Sequence, residues 1–111
     1  MLTKAMPYIS KKQRKALDSH IDALAETIAN GTRELGDNTA FAGMLNYVCT
    51  RLGLKIVNLL FKKPRYWIIA MLTGVFQNVS EEFYRRVAAP YEDEKIRDEG
   101  DVDAISSFIS K

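Results

Sequence analysis

The chain carries one cysteine, Cys49, and one histidine, His20, in 111 residues. A single thiol excludes an intramolecular disulfide and any cysteine-cluster metal site. It sits in an apolar helical pattern and reads as a small core side chain. His20 stands between Asp18 and Asp22, which suits a surface or capping role better than catalysis. Long apolar runs are also missing. The longest uncharged stretch, Tyr66 to Ser80, has 15 residues and includes Gln77 and Asn78. A bilayer crossing takes ~20 apolar residues, and no secretory h-region stands at the N-terminus. A cytoplasmic location with no membrane partner is expected. No Gly-rich phosphate loop, nucleophile elbow or zinc spacing is present, so no catalytic residue, metal or cofactor is assigned.

What is there is ordinary in bulk and uneven in distribution. The content of 47% hydrophobic and 27% charged residues is that of a soluble globular protein. A chain of this size makes one domain, residues 1–111, and buries roughly 60–70% of its unfolded surface. The net charge of +2 hides a split. Residues 1–90 hold 13 Lys+Arg against 7 Asp+Glu, whereas residues 91–111 hold 3 against 7. A basic body and an acidic tail attract each other, within one chain or between neighbours. A solvated, solubilising tail is the plainer account.

The hydrophobic pattern is helical from end to end. Ser10-Lys11-Lys12-Gln13 has capping-box spacing and opens a short basic turn or helix to about Leu17. A second start lies at Asp18 or Ser19, followed by an apolar stripe of Ile21, Leu24, Ala25 and Ile28. Gly31 is placed to end that helix, and residues 31–39 read as loop. A third helix is expected over Ala40 to Phe61, burying Phe41, Met44, Leu45, Val48 and Leu52, then Ile56, Leu59 and Leu60. Gly53 inside it marks a bend or a close helix contact. Lys62-Lys63-Pro64-Arg65 breaks the pattern. The fourth helix, about Tyr66 to Ala89, is apolar almost all round in its first half, as for a helix surrounded by others or in an oligomer interface. Its second half turns Val75, Phe76, Val79, Phe83 and Val87 inward, and Pro90 stops it. Val102, Ile105, Phe108 and Ile109 make a last amphipathic segment, a docking helix or tail over residues 103–111. The expected fold class is all-α, a compact bundle of three to four main helices.

One constellation joins cations to aromatic rings. Tyr47, Arg51 and Lys55 are spaced four apart on the third helix. Tyr84, Arg85 and Arg86 stand at the end of the fourth, with Tyr91, Glu92 and Asp93 just past the proline. Arginine forks grip phosphate or carboxylate, and tyrosine rings stack on a base or support a guanidinium. The same residues also read as a salt-bridged helix end, through i, i+4 pairs Glu81–Arg85 and Glu82–Arg86. Both readings stand at this point. The acids from Glu81 to Asp103 are hard oxygen ligands of the kind magnesium takes. They crowd one end of the chain, and a paired carboxylate motif on a second helix is missing, so a solvated face describes them better. Lys11, Lys12, Arg14, Lys15, Lys62, Lys63 and Arg65 give nucleic-acid binding little support at a pI near 8.7.

Distinctive segments run through the chain: Met6-Pro7-Tyr8-Ile9, then Leu17-Asp18 and Ile21-Asp22-Ala23-Leu24, then Gly43 with Leu45-Asn46-Tyr47-Val48 and Thr50-Arg51-Leu52. Gly74-Val75 follows, then Glu82 through Ile96, and Gly100-Asp101-Val102. Together they resemble a family of short uncharacterised proteins seen in tailed phages and some prokaryotic genomes. The resemblance covers about residues 6–102. It implies that residues 1–5 are a flexible extension, and Ala104 to Lys111 depart from the family pattern. It brings a setting and no mechanism.

In that setting the first expectation is a non-enzymatic, homo-oligomeric binding protein for an anionic, nucleotide-like ligand. Arg51, Arg85 and Arg86 would contact the anion, flanked by Tyr47, Tyr84 and Tyr91. Glu92 and Asp93 would orient the arginines or accept from a base edge. The alternative is a protein–protein interaction module or inhibitor of a host protein. A metal-dependent nucleotide hydrolase is the third reading.

Overall fold

Ser10 opens the first helix with both halves of a capping box. Its Oγ accepts from the Gln13 amide at 3.2 Å, and Gln13 Oε1 accepts from the Ser10 amide at 2.9 Å. The structure, a computed structural model, describes residues 9–110. The expected extension over residues 1–5 and the Met6-Pro7-Tyr8 element lie outside them. Helix α1 spans Lys11–Leu35 without a break. The expected restart at Asp18 or Ser19 and the stop at Gly31 are therefore corrected. A glycine inside a helix costs only about 1 kcal/mol, which the long helix absorbs. A Cβ on Gly31 would lie 3.4 Å from Met44 Sδ and Cε. Next to it Thr32, one of the few buried residues, donates Oγ1–H to the Ile28 carbonyl at 2.8 Å.

The helix ends instead at Gly36, whose φ of 71° is left-handed and whose amide returns to the Arg33 carbonyl. Alanine at Gly36 would be strained in that conformation. Gly36→Ala is expected to lower stability by about 1 kcal/mol, read as a drop in the thermal midpoint followed by circular dichroism. The loop expected over residues 31–39 shrinks to this cap and a 3₁₀ turn, Asn38–Ala40. Asp37 caps the turn. It accepts from the Thr39 hydroxyl at 2.7 Å and amide at 2.9 Å, and these bonds hold its carboxyl below the usual range.

Helix α2 spans Phe41–Leu60, within a residue of the expected span at each end. After the Lys62-Lys63-Pro64-Arg65 break, α3 spans Tyr66–Phe83, and the Arg65 carbonyl accepts from the Ile68 and Ile69 amides. Phe61 meets Trp67 edge to face, with ring centroids 5.4 Å apart. A five-residue π turn, Tyr84–Ala88, leads into α4, Ala89–Glu99, and α5 follows at Asp103–Ile109. Among the described residues there is no strand. The expected all-α class, with three to four main helices and a short C-terminal helix, is the class observed.

The chain divides between Ile56 and Val57 into two units. The first holds α1 and most of α2; the second holds α3 to α5. The expected burial of the apolar stripes is corrected in both. Phe41, Leu45, Leu52, Ile56, Leu59 and Leu60 on α2 are exposed, as are Val75, Phe76, Val79 and Phe83 on α3. Val87 and Cys49 are exposed as well. Among the described large apolar side chains only Ile68 is buried, at 4% exposure. The physical reason is a shortage of neighbours. Two helices in one unit and a run of consecutive helices in the other cannot enclose stripes of this width.

Candidate functional site

Pro90 does not stop the helix. The expected break there is corrected: the chain stays helical from Tyr66 to Glu99, through α3, the π turn and α4. A proline inside a helix removes one amide donor and crowds the carbonyl four residues back. The chain relieves this by widening the preceding turn, so that the Ala89 amide donates to Tyr84, five residues back. Ala89 keeps regular helical angles of −64° and −46° despite preceding a proline. The helix ends at Gly100, where φ is 87° and the amide donates to the Ile96 carbonyl.

The widened turn sets which side chains meet. A π turn adds one residue to the helix without adding a turn. Tyr84 and Glu92, eight apart in sequence, therefore stand roughly where residues seven apart would stand in a regular helix, on one face. Tyr84 Oη donates to Glu92 Oε1 at 3.1 Å. That bond to the carboxylate, reinforced by the negative charges of Glu92 and Asp93, pushes the Tyr84 phenol above its ordinary value. The folded state thus holds this proton more tightly than the unfolded chain. Its contribution is full below pH 10.0, tyrosine's ordinary value, and is lost as pH rises through the higher folded value. Ultraviolet titration should find one tyrosine ionising later than the rest. Glu92→Gln is expected to return it to the ordinary range.

The two arginines share one anchor. Glu82 accepts from Arg86 Nη1 at 3.2 Å and from Arg85 Nη2 at 3.4 Å. The expected Glu81–Arg85 pair is thus replaced by an i, i+3 pair with Glu82, while Glu82–Arg86 forms as expected. Exposed pairs of this kind add roughly 0–1 kcal/mol each. Their effect on orientation is larger, because Glu82 holds two guanidinium groups on adjacent positions. Both remain well exposed, at 69% and 59% of the side chain. A guanidinium has five donors, and the bond to Glu82 engages one of Arg85's.

Tyr91 meets Lys95, whose Nζ lies 5.8 Å from the ring centroid and 3.9 Å from Glu99 Oε2. Glu92 accepts from Tyr84. Asp93 acts on Tyr84 only through its charge. Tyr47 and Arg51 are exposed on α2, four residues apart in the first unit. The structure thus joins Tyr84 to Glu92 and, separately, joins Arg85 and Arg86 to Glu82. Sequence reasoning gave Glu82 to Arg86 alone. The i, i+3 spacing to Arg85 was the signal for its second role.

Among the described residues no three His, Cys, Asp or Glu side chains gather into a metal-binding group. No described helix is long and apolar enough to cross a membrane. Among the described residues the chain is all-α, with a π turn inside its long Tyr66 to Glu99 helix. It belongs to the family described as a domain of unknown function, DUF6899, whose model matches residues 6–102. The match takes in α1 to α4 whole and ends just before α5. No curated protein and no solved structure matches the chain.

Proposed function

We propose that this protein is a non-enzymatic, oligomeric binding protein for an anionic, nucleotide-like ligand, taken up at the π turn. The observation that carries the reading is the pair of adjacent, exposed guanidinium groups that share Glu82 at the π turn. Arg85 and Arg86 supply charged donors for phosphate oxygens. Tyr84, its hydroxyl tied to Glu92, offers a ring of fixed orientation for a base to stack on. Tyr91 and Asp93 follow on α4. A π turn suits such a role, because these turns occur frequently at functional sites. In a phage-associated setting, sequestration of a signalling nucleotide or counter-defence is the use that fits a binder without catalytic groups. Calorimetric titration with ATP, GTP, cyclic di-AMP and inorganic pyrophosphate tests the reading. Saturable, salt-sensitive binding of at least one is expected, and absence of binding to all four at millimolar concentration counts against it.

A second reading is supported by a separate observation, the exposed apolar faces of α2 and α3. It makes the chain a protein–protein interaction module or an inhibitor of a host protein, with the acidic end or α5 docking on the partner. Truncation after Glu99 would then abolish partner capture.

A further inference from the structure

The uninterrupted helix from α3 through α4 carries charge of opposite sign at its two ends and a seam between them. Lys62, Lys63 and Arg65 precede it and line an open cleft of about 320 Å³, together with Phe61, Trp67 and Ile68. Over α4, five acids from Glu92 to Glu99 face two cations, Lys95 and Arg97. At 1.5 Å per residue these ends lie about 50 Å apart, so the helix cannot fold its own acidic end onto its own basic end. Between them Ile69, Leu72, Phe76, Val79 and Phe83 alternate three and four apart, the spacing of a helix-pairing seam. Four of these five are exposed, Val79 and Phe83 each at 61%.

We propose that the occupant of this seam is a second copy of the chain, lying antiparallel. Two observations select it. The first is charge: an antiparallel copy sets each acidic α4 against the other's basic cleft at both ends, whereas a parallel copy sets like charge on like. The second is the seam itself. Ile69, Phe76, Val79 and Phe83 lie exposed along one side of the helix, a contiguous apolar strip of the kind that marks an interaction surface. Setting Lys63 and Arg65 opposite Asp98 and Glu94 puts the two-fold axis beside Val79. This deepens the oligomeric part of the proposed function, names the partner and its direction, and uses none of the arginines at the π turn.

The test is a charge swap read by sedimentation velocity and native mass spectrometry on the full chain. Lys62→Glu/Lys63→Glu and Glu94→Lys/Asp98→Lys should each weaken self-association at least tenfold, and an equimolar mixture should restore it as a heterodimer. In a Cys49→Ser background, Val79→Cys should cross-link copy to copy when oxidised glutathione accepts the electrons. A wild-type chain that stays monomeric at 100 μM overturns the proposal. Charge variants that associate as tightly as wild type overturn the antiparallel direction. Nucleotide titration of the same variants is read separately, so loss of ligand binding and loss of pairing are told apart.

Discussion

Replacing Arg85 and Arg86 together by alanine is expected to weaken nucleotide binding by about 100-fold or more while leaving the helix in place. Hydrogen bonds to charged groups contribute about 1.5–3 kcal/mol each, and each 1.4 kcal/mol is tenfold in Kd. Losing one such bond per arginine already exceeds two decades. The structural cost is far smaller. The pairs to Glu82 are exposed and stabilise the helix by roughly a few tenths of a kcal/mol. Circular dichroism at 222 nm should therefore match the wild-type chain. The double lysine variant separates charge from geometry: it keeps both positive charges and loses the planar fork, so an intermediate loss is expected. Unchanged affinity in the alanine variant would remove the π-turn arginines from the account and leave the salt-bridged helix end as their whole role.

The second large effect is expected at Pro90. Alanine there restores an amide donor and removes the ring that crowds the preceding turn. The chain from Tyr84 to Ala88 is then free to return to regular α geometry. Stability should rise by about 1 kcal/mol, a few degrees in the thermal midpoint for a domain of this size. The same change rotates everything after the turn by about 100° relative to α3, one residue's angular step. Tyr84 and Glu92 would part, the delayed tyrosine ionisation would disappear, and nucleotide affinity would fall at least tenfold. A more stable protein that binds less well is the signature of a strained turn kept for its geometry. Should Pro90→Ala gain stability with unaltered tyrosine titration, the proline does not hold the π turn.

The helices themselves were legible in the residues, because apolar periodicity and the Ser10 capping box report local physics. Their ends were less so. Gly31 and Pro90 carry the residue types that usually terminate helices, and neither does here. At Gly31 the penalty for a helical glycine is small, and Met44, thirteen residues away, packs against the position. At Pro90 the relief comes from one extra residue in the previous turn, which no periodicity count anticipates. The same extra residue brings Tyr84 to Glu92, a pairing that regular helical spacing does not suggest. Burial was the least legible property. An apolar stripe states that something must cover it, not whether the cover belongs to the same chain. The α2 and α3 stripes are exposed, and the proposed pairing assigns the cover of the α3 stripe to a second copy.

Native mass spectrometry of the protein purified without denaturation, followed by release and identification of small molecules, tests the central claim most directly. The account predicts an oligomer carrying an adduct of nucleotide mass, lost in the Arg85→Ala/Arg86→Ala variant and retained in Lys62→Glu/Lys63→Glu. An oligomer of bare chains that takes up no nucleotide on titration would contradict it, and would place this protein's function in its apolar helix faces.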